Sequence, residues 1–418
     1  MEWNNPDYWQ LLVSRTHYFT NAGPPMKKMH PIIVLPALIL CAHPLFVTAG
    51  TLEQSFAGGK AFVDARYRYE TVDDTVHQDA KASTLRSRIG FSTSTDFPLS
   101  ASVDFENITR LGSPDYNSTT NGQTQYAIVA DPASTEVNQA FLNFKMSDSA
   151  AAKYGRQRII YDNARFVGNV GWRQNEQTYD ALRFSYSATK DIALDLVNIQ
   201  KINTITGGET YTNTNLLNAS FGNIAGGKLV AYAYLLDDDA TPNAATSTLG
   251  AYYSGAVSSL LYRLEYAKQS DYADRTTSFD ASYTMLELGY KLSADTKVFV
   301  AMETLGSDNG ASAFQTPLAT KHAFNGWADK FLATPANGLV DTYLKAVTKV
   351  AGVGLVAVYH DFSSDQGSTD YGAELDLLAS KKLNDTFTVL AKYASYSADS
   401  FSADTDKIWL QLEMKLKQ

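Results

Sequence analysis

From about residue 60 to residue 416 the chain alternates apolar with polar or charged side chains at a period of two, in segments of about ten residues. A period of two puts successive side chains on opposite faces of a strand, and ten residues is the length a tilted strand needs to cross a bilayer. Val63, Ala65, Tyr67 and Tyr69 alternate with Asp64, Arg66, Arg68 and Glu70, while Leu85, Ile89 and Phe91 alternate with Arg86, Arg88 and Gly90. Tyr262, Leu264 and Tyr266 against Arg263 and Glu265, and Ile408 to Met414 against Gln411, Glu413 and Lys415, repeat the pattern. The pattern predicts strands over 60–70, 83–93, 100–111, 137–147, 152–161, 178–187, 191–202, 213–222 and 228–237. It continues over 247–255, 259–269, 280–292, 296–304, 339–349, 353–361, 370–380, 386–397 and 405–416. That is about eighteen strands, or sixteen if the weakest middle segments are discounted, and an even number is what a single-chain bacterial barrel requires.

The connections alternate as well. Short ones at 95–98, 188–190, 293–295 and 383–385 trade places with long polar ones near 112–136, 162–177, 203–212, 238–246 and 305–338. Short turns on one side and long loops on the other are the signature of a barrel inserted from the periplasm. A soluble β-sandwich also alternates apolar and polar residues, but it has no reason to lengthen every second connection. Mean hydropathy of −0.22 argues against a bundle of membrane helices, and 25 Tyr, 20 Phe and 26 Gly favour strands and turns. The expected fold is therefore all-β, a transmembrane antiparallel β-barrel. A formal charge of −9 removes nucleic acid from the expected partners, because phosphate binding needs a basic surface.

Met26-Lys27-Lys28, an apolar run from Ile32 to Val47 and Val47-Thr48-Ala49 have the three parts of a secretory signal. Residues 26–49 are read as a signal peptide cleaved after Ala49, and 1–25 as an upstream segment from a wrongly assigned start. Residues 50–418 are then one barrel in the outer membrane of a Gram-negative bacterium. Its surroundings would be lipid, lipopolysaccharide and the barrel assembly machinery. The single cysteine, Cys41, lies in the part to be removed.

Arg or Lys at the bilayer midplane on the lipid side costs on the order of 2–4 kcal/mol, so the repeatedly charged faces must point inward. That rule puts Asp64, Arg66, Arg68, Arg86, Arg88, Asp104, Glu106, Lys145, Arg183, Arg263 and Glu265 in the lumen. Ten arginines lie between Arg66 and Arg183, and only Arg263 and Arg275 follow, which predicts one guanidinium-rich wall. A guanidinium keeps its charge and presents a fork that matches carboxylates, so the wall suits transient binding of anionic or saccharide solutes. Taken singly, each arginine can instead pair with Asp64, Glu70, Asp104 or Glu106 and stiffen the lumen.

The densest motif runs from Tyr154-Gly155-Arg156-Gln157-Arg158 through Arg165-Phe166-Val167-Gly168 to Trp172-Arg173-Gln174. It is too polar to face lipid throughout, and predicts a strand that leaves the wall into a loop and returns at Thr178. Arg156, Arg158, Arg165 and Arg173 would then sit near the mouth or fold inward. At these residues, and at Ala65-Arg66-Tyr67-Arg68-Tyr69-Glu70 and Leu85-Arg86-Ser87-Arg88, the sequence resembles the alginate-export family of outer-membrane proteins. The resemblance covers about residues 60–186. It implies an eighteen-stranded barrel and, for the best-understood members, passage of an anionic polyuronate through an arginine-rich constriction. The chain departs from that picture in its length after the leader and in its ending Leu416-Lys417-Gln418, which lacks a terminal aromatic residue.

The expected function is a porin for anionic or sugar-like solutes, with polyuronate export as its narrower form. Two other classes compete. One is an outer-membrane or secreted hydrolase, for which the sequence offers only His77, His322 and His360 after the leader, with no Gly-x-Ser-x-Gly elbow and no His-Glu-x-x-His pair. The other is a plugged structural or adhesive barrel, because the 305–338 loop, with Phe314, Trp327 and Phe331, is long enough to enter the pore. Asp237-Asp238-Asp239 reads as a solvated loop or a calcium or lipopolysaccharide contact. No cofactor is expected.

Overall fold

The computed structural model describes residues 49–238 and 241–417. The signal peptide, the 1–25 segment, Cys41 and Asp239 lie outside the described residues, apart from Ala49, which opens a helix over Ala49–Ala57. This helix was not expected. It lies beside the first strands, with the Ser94 amide donating to the Ser55 carbonyl at 2.9 Å and Phe56 stacked on Phe91.

Eighteen antiparallel strands close into one barrel. They are β1 (Lys60–Asp74), β2 (Ala80–Ser92), β3 (Leu99–Arg110), β4 (Ser134–Lys145), β5 (Ala150–Gln157), β6 (Thr178–Thr189), β7 (Ile192–Asn203), β8 (Glu209–Ile224) and β9 (Gly227–Leu236). β10 (Thr246–Val257), β11 (Leu260–Asp271), β12 (Asp280–Lys291), β13 (Lys297–Leu305), β14 (Leu339–Val350), β15 (Val353–Ser363), β16 (Asp370–Lys382), β17 (Phe387–Ala398) and β18 (Thr405–Lys417) complete it. Each strand pairs with its sequence neighbours, and β1 closes the ring by pairing with β18 from Phe62↔Lys417 to Asp74↔Thr405. Closure leaves no edge strand, the condition for a sheet to sit in hydrocarbon.

The period of two sorts the side chains. Ile89, Phe105, Leu142, Leu249, Leu264, Tyr266, Met302, Leu344 and Leu410 are large, apolar and exposed on the outer face, as a lipid belt demands. Their alternating neighbours Arg88, Asp104, Glu106, Glu265, Glu303 and Trp409 are buried on the inner face. Short turns join the strands on the periplasmic side, at 190–191, 225–226, 258–259 and 351–352 among others, and the 111–133, 158–177 and 306–338 connections stand on the opposite side.

Several boundaries differ from the sequence reading: β1 runs on to Asp74 and β8 begins at Glu209. The segment expected as a strand over 152–161 leaves the wall after Gln157. Gly155 sits at φ +122°, where a Cβ would lie 2.3 Å from the Ala140 carbonyl oxygen, and the Gln157 amide donates to the Ala181 carbonyl at 3.0 Å. The pairing with β6 runs on unbroken to Gln157↔Tyr179, and Arg158–Tyr161 lie off the ladder. The 306–338 connection contains a small hairpin pairing Ser307–Asp308 with Ser312–Ala313.

Candidate functional site

The 158–177 and 306–338 segments fold into the barrel and narrow it. An apolar kernel drives this. Phe166 lies 5.2 Å from the Tyr232 ring of β9 and 5.1 Å, edge on, from Tyr283 of β12. Ile159, Val167, Phe314 and Leu318 are buried in the same cluster. Farther round the wall, Phe331 packs on Phe362 at 4.6 Å and stacks on Phe401 at 5.1 Å. Removing such surface from water is worth about 25 cal/mol per Å², so a lumen of this width gains by folding its own loops inward.

Arginines fasten this kernel to the wall. Arg165, on the inward 158–177 segment, fastens it to β13, donating to Glu303 at 2.7 Å, and to the second segment, donating to Asn325 at 3.0 Å. Arg173 donates to Glu70 of β1 at 3.2 Å and to Asp329 at 2.9 Å. Arg66 holds the segment by its backbone, Nη1 donating to the carbonyls of Gly171 at 3.1 Å, Trp172 at 3.3 Å and Arg173 at 3.3 Å. Arg68, 1% exposed, donates to Gln411 at 2.7 Å and lies 4.1 Å over the Trp172 ring. On β2, Arg86 pairs with Asp64 at 2.6 Å, and Arg88 pairs with Glu106 and with Glu176 at 2.8 Å.

Glu176 closes the first segment. Burial opposes its charge, but hydrogen bonding to Arg158, attraction to Arg88 and a bond from Asn138 hold it down at about 2. The second segment is pinned by Lys392 of β17. Its ammonium lies 3.7 Å from the Trp327 ring and 4.1 Å from Trp172, and 2.6 Å from Nε2 of His322. Burial is the main influence keeping the His322 imidazole well below its ordinary range, with Asp329 opposing and Lys392 reinforcing it. A neutral ring fits both contacts, donating from Nδ1 to Asp329 at 2.7 Å and accepting from Lys392 at Nε2. Ala328 and Trp327 amides donate to Glu374 at 2.6 Å and Asp376 at 3.2 Å on β16. Gly326, at φ +84°, permits that approach, since a Cβ there would meet Glu374 at 2.3 Å.

Of the arginines and acids expected in the lumen, Arg66, Arg68, Arg86, Arg88, Asp104 and Glu106 lie on inner faces of β1 to β3, and Arg158, Arg165 and Arg173 belong to the inward segment. Arg183 is on the inner face of β6, a quarter exposed, paired with Asp195 at 2.8 Å. Arg156 is a correction. It shares the outer face with Tyr154 and Leu182, because Gln157 and its register partner Tyr179 take the inner one, and it pairs there with Asp180 at 2.8 Å beside Lys201. The single guanidinium wall is a second correction, since Arg165 pairs with Glu303 of β13 and Arg68, Arg86, Arg88, Arg165 and Arg173 are buried against carboxylates or amides. Glu303, Asp329, Lys392 and Trp409 were not singled out, because lone charged or aromatic residues at strand spacing carry no motif. Among the described residues no cluster of His, Cys, Asp or Glu could hold a metal.

A closed eighteen-stranded barrel with an apolar outer belt and a charged, loop-narrowed lumen defines an outer-membrane β-barrel channel. A sequence model of the alginate export family matches residues 63–304, more than half of the chain, and the chain belongs to that family. No curated protein matches the sequence. Among solved structures, the outer membrane protein OpdK from Pseudomonas aeruginosa is similar at 13% identity and a TM-score of 0.68, over 87% of this chain and 100% of that one. The Pseudomonas aeruginosa OpdK structure with vanillate matches at 12% identity and 0.68, over the same shares. OccAB2 from Acinetobacter baumannii matches at 14% identity and 0.66, over 87% and 99%. At these identities the likeness is one of fold.

Proposed function

We propose that the protein passes small anionic solutes, carboxylates or uronate sugars, through a lumen narrowed by the 158–177 and 306–338 segments. The observation that carries this reading is the division of labour among the arginines. Those on β1 and β2 are largely buried in anchoring, whereas Arg158 and Arg183, each also paired with a carboxylate, keep side chains 29% and 25% exposed within the lumen. A guanidinium that remains partly open offers a carboxylate a charge-assisted bond without trapping it, as conduction needs. OpdK has been solved with vanillate, a carboxylate, and its barrel is of similar fold. Arg66, Arg68, Arg86, Arg88, Asp104, Glu106, Arg165 and Arg173 would set the shape of the constriction by holding its segments.

Reconstitution in a planar bilayer should give small ohmic steps with preference for anions. Cation preference would overturn the proposal. The inward segments also favour a second reading, a barrel plugged at rest, and absence of any conductance in the intact protein would support it. Polyuronate export is the narrower form of the first reading. Deleting the gene in a polymer-producing host should then leave polymer in the periplasm.

A further inference from the structure

On the periplasmic side of the constriction, two inward cations stand directly opposite each other. Lys153 of β5 and Arg183 of β6 are register partners, and both share the inner face with Ser185 and Asp195. Like charges placed directly across a strand pair repel. The neighbouring carboxylate is Asp195, and it is fully engaged. Its Oδ1 accepts from Arg183 Nε at 3.0 Å and the Ser185 hydroxyl at 2.6 Å, and its Oδ2 accepts from the Tyr161 hydroxyl at 2.7 Å and faces Arg183 Nη2 at 2.8 Å. The Lys153 ammonium rests instead 4.3 Å over the Phe141 ring. Among the described residues no carboxylate oxygen comes within the 4.0 Å of an ion pair with it.

We propose that Lys153 and Arg183 form an anion-binding site for a solute carboxylate, entered from the periplasmic half of the lumen, beneath Tyr161. The proposal rests on the anion-channel reading and names a site for it. A carboxylate bridging the two cations relieves their repulsion, taking one oxygen to the Lys153 ammonium and the other to N–H groups of Arg183 that Asp195 does not use. The Phe141 ring holds the lysine stem and leaves its charge directed to the lumen. Lys228 of β9, whose side chain is 49% exposed and 3.8 Å from Asp162, adds a further cation to the same half of the barrel.

The full-length channel with Lys153→Gln or Lys153→Glu, each checked for heat-modifiable migration as a folded barrel, would be measured across a potassium chloride gradient. Sodium galacturonate would then be added on the periplasmic side as a probe. Wild type should be anion selective and its chloride current should fall with galacturonate. Lys153→Gln should lose most of that block, and Lys153→Glu should shift the reversal potential toward cations, while Lys268→Gln, on the outer face of β11 with Leu264 and Tyr266 and paired with Asp280 at 2.9 Å, should behave as wild type. An anion-selective wild type whose selectivity and block are unchanged in both Lys153 variants would overturn the site and leave the channel reading standing. A wild type without anion preference would overturn both.

Discussion

Arg165 shows what a buried charge does in this barrel. Its guanidinium, carried by the inward 158–177 segment, pairs with Glu303 of β13, and removing one member of a buried pair leaves the other uncompensated, which costs about 3–5 kcal/mol. Arg165→Ala should lower barrel stability by that amount in urea unfolding from detergent micelles. A loss below about 1 kcal/mol, the worth of an exposed pair, would show that the pair is not shielded from water. Glu176 gives a pH dependence with a definite sign. Its carboxyl lies below the ordinary 4.5, at about 2, so its anchoring contribution is complete above about pH 4.5 and is lost as the pH falls through 2. The part of the single-channel conductance that depends on Glu176 should therefore keep its neutral-pH value down to about pH 3. A rise centred near 4.5 that Glu176→Gln abolishes would contradict the geometry. The residue scale is also where the sequence misled. Parity alone puts Arg156 on the face of Tyr154, and the unbroken register from Ala150↔Tyr186 to Gln157↔Tyr179 keeps it there; the density of charge in the motif, not its period, drew it toward the lumen.

At the scale of elements, the strands were legible because a lipid face and a polar face impose the same alternation on every one of them. Leu264, exposed on the outer face of β11, is the kind of residue that fixes this pattern. Leu264→Arg should cost on the order of 2–4 kcal/mol and slow barrel assembly, whereas the lumen substitution Lys228→Gln, at a side chain 49% exposed, should not impair assembly. The loops were legible only by length. Nothing in the period of two says that Phe166, Phe314 and Phe331 turn inward, since aromatic residues in a connection are equally at home on an outer surface. The reason emerges only in three dimensions, where tyrosines 232, 234 and 283 face Phe166, Tyr283 faces Phe314, and Phe362 and Tyr396 face Phe331. Replacing residues 309–336 by a short Gly-Ser linker should leave the eighteen strands paired and raise conductance several-fold. Unchanged conductance would show that this segment does not narrow the path.

For the whole molecule, closure of β1 on β18 and the loop-packed upper lumen belong together. A barrel of eighteen strands encloses more width than strand side chains can fill, so what passes is decided by what the loops leave open. On the proposed function, the buried arginines hold those loops and the partly exposed Arg158 and Arg183 face the remaining path. The resemblance read at residues 60–186 agrees with the family match over 63–304, and the strand count agrees with the closed sheet. The identity of the solute was not legible, because an arginine paired inward and an arginine open to a passing carboxylate look the same in sequence. The decisive measurement is the reversal potential of the reconstituted channel across a potassium chloride gradient, for wild type, Arg158→Ala and Arg86→Ala. Anion selectivity that falls in Arg158→Ala and persists in Arg86→Ala is the expected result; a cation-selective wild type, or selectivity that neither variant moves, would contradict it.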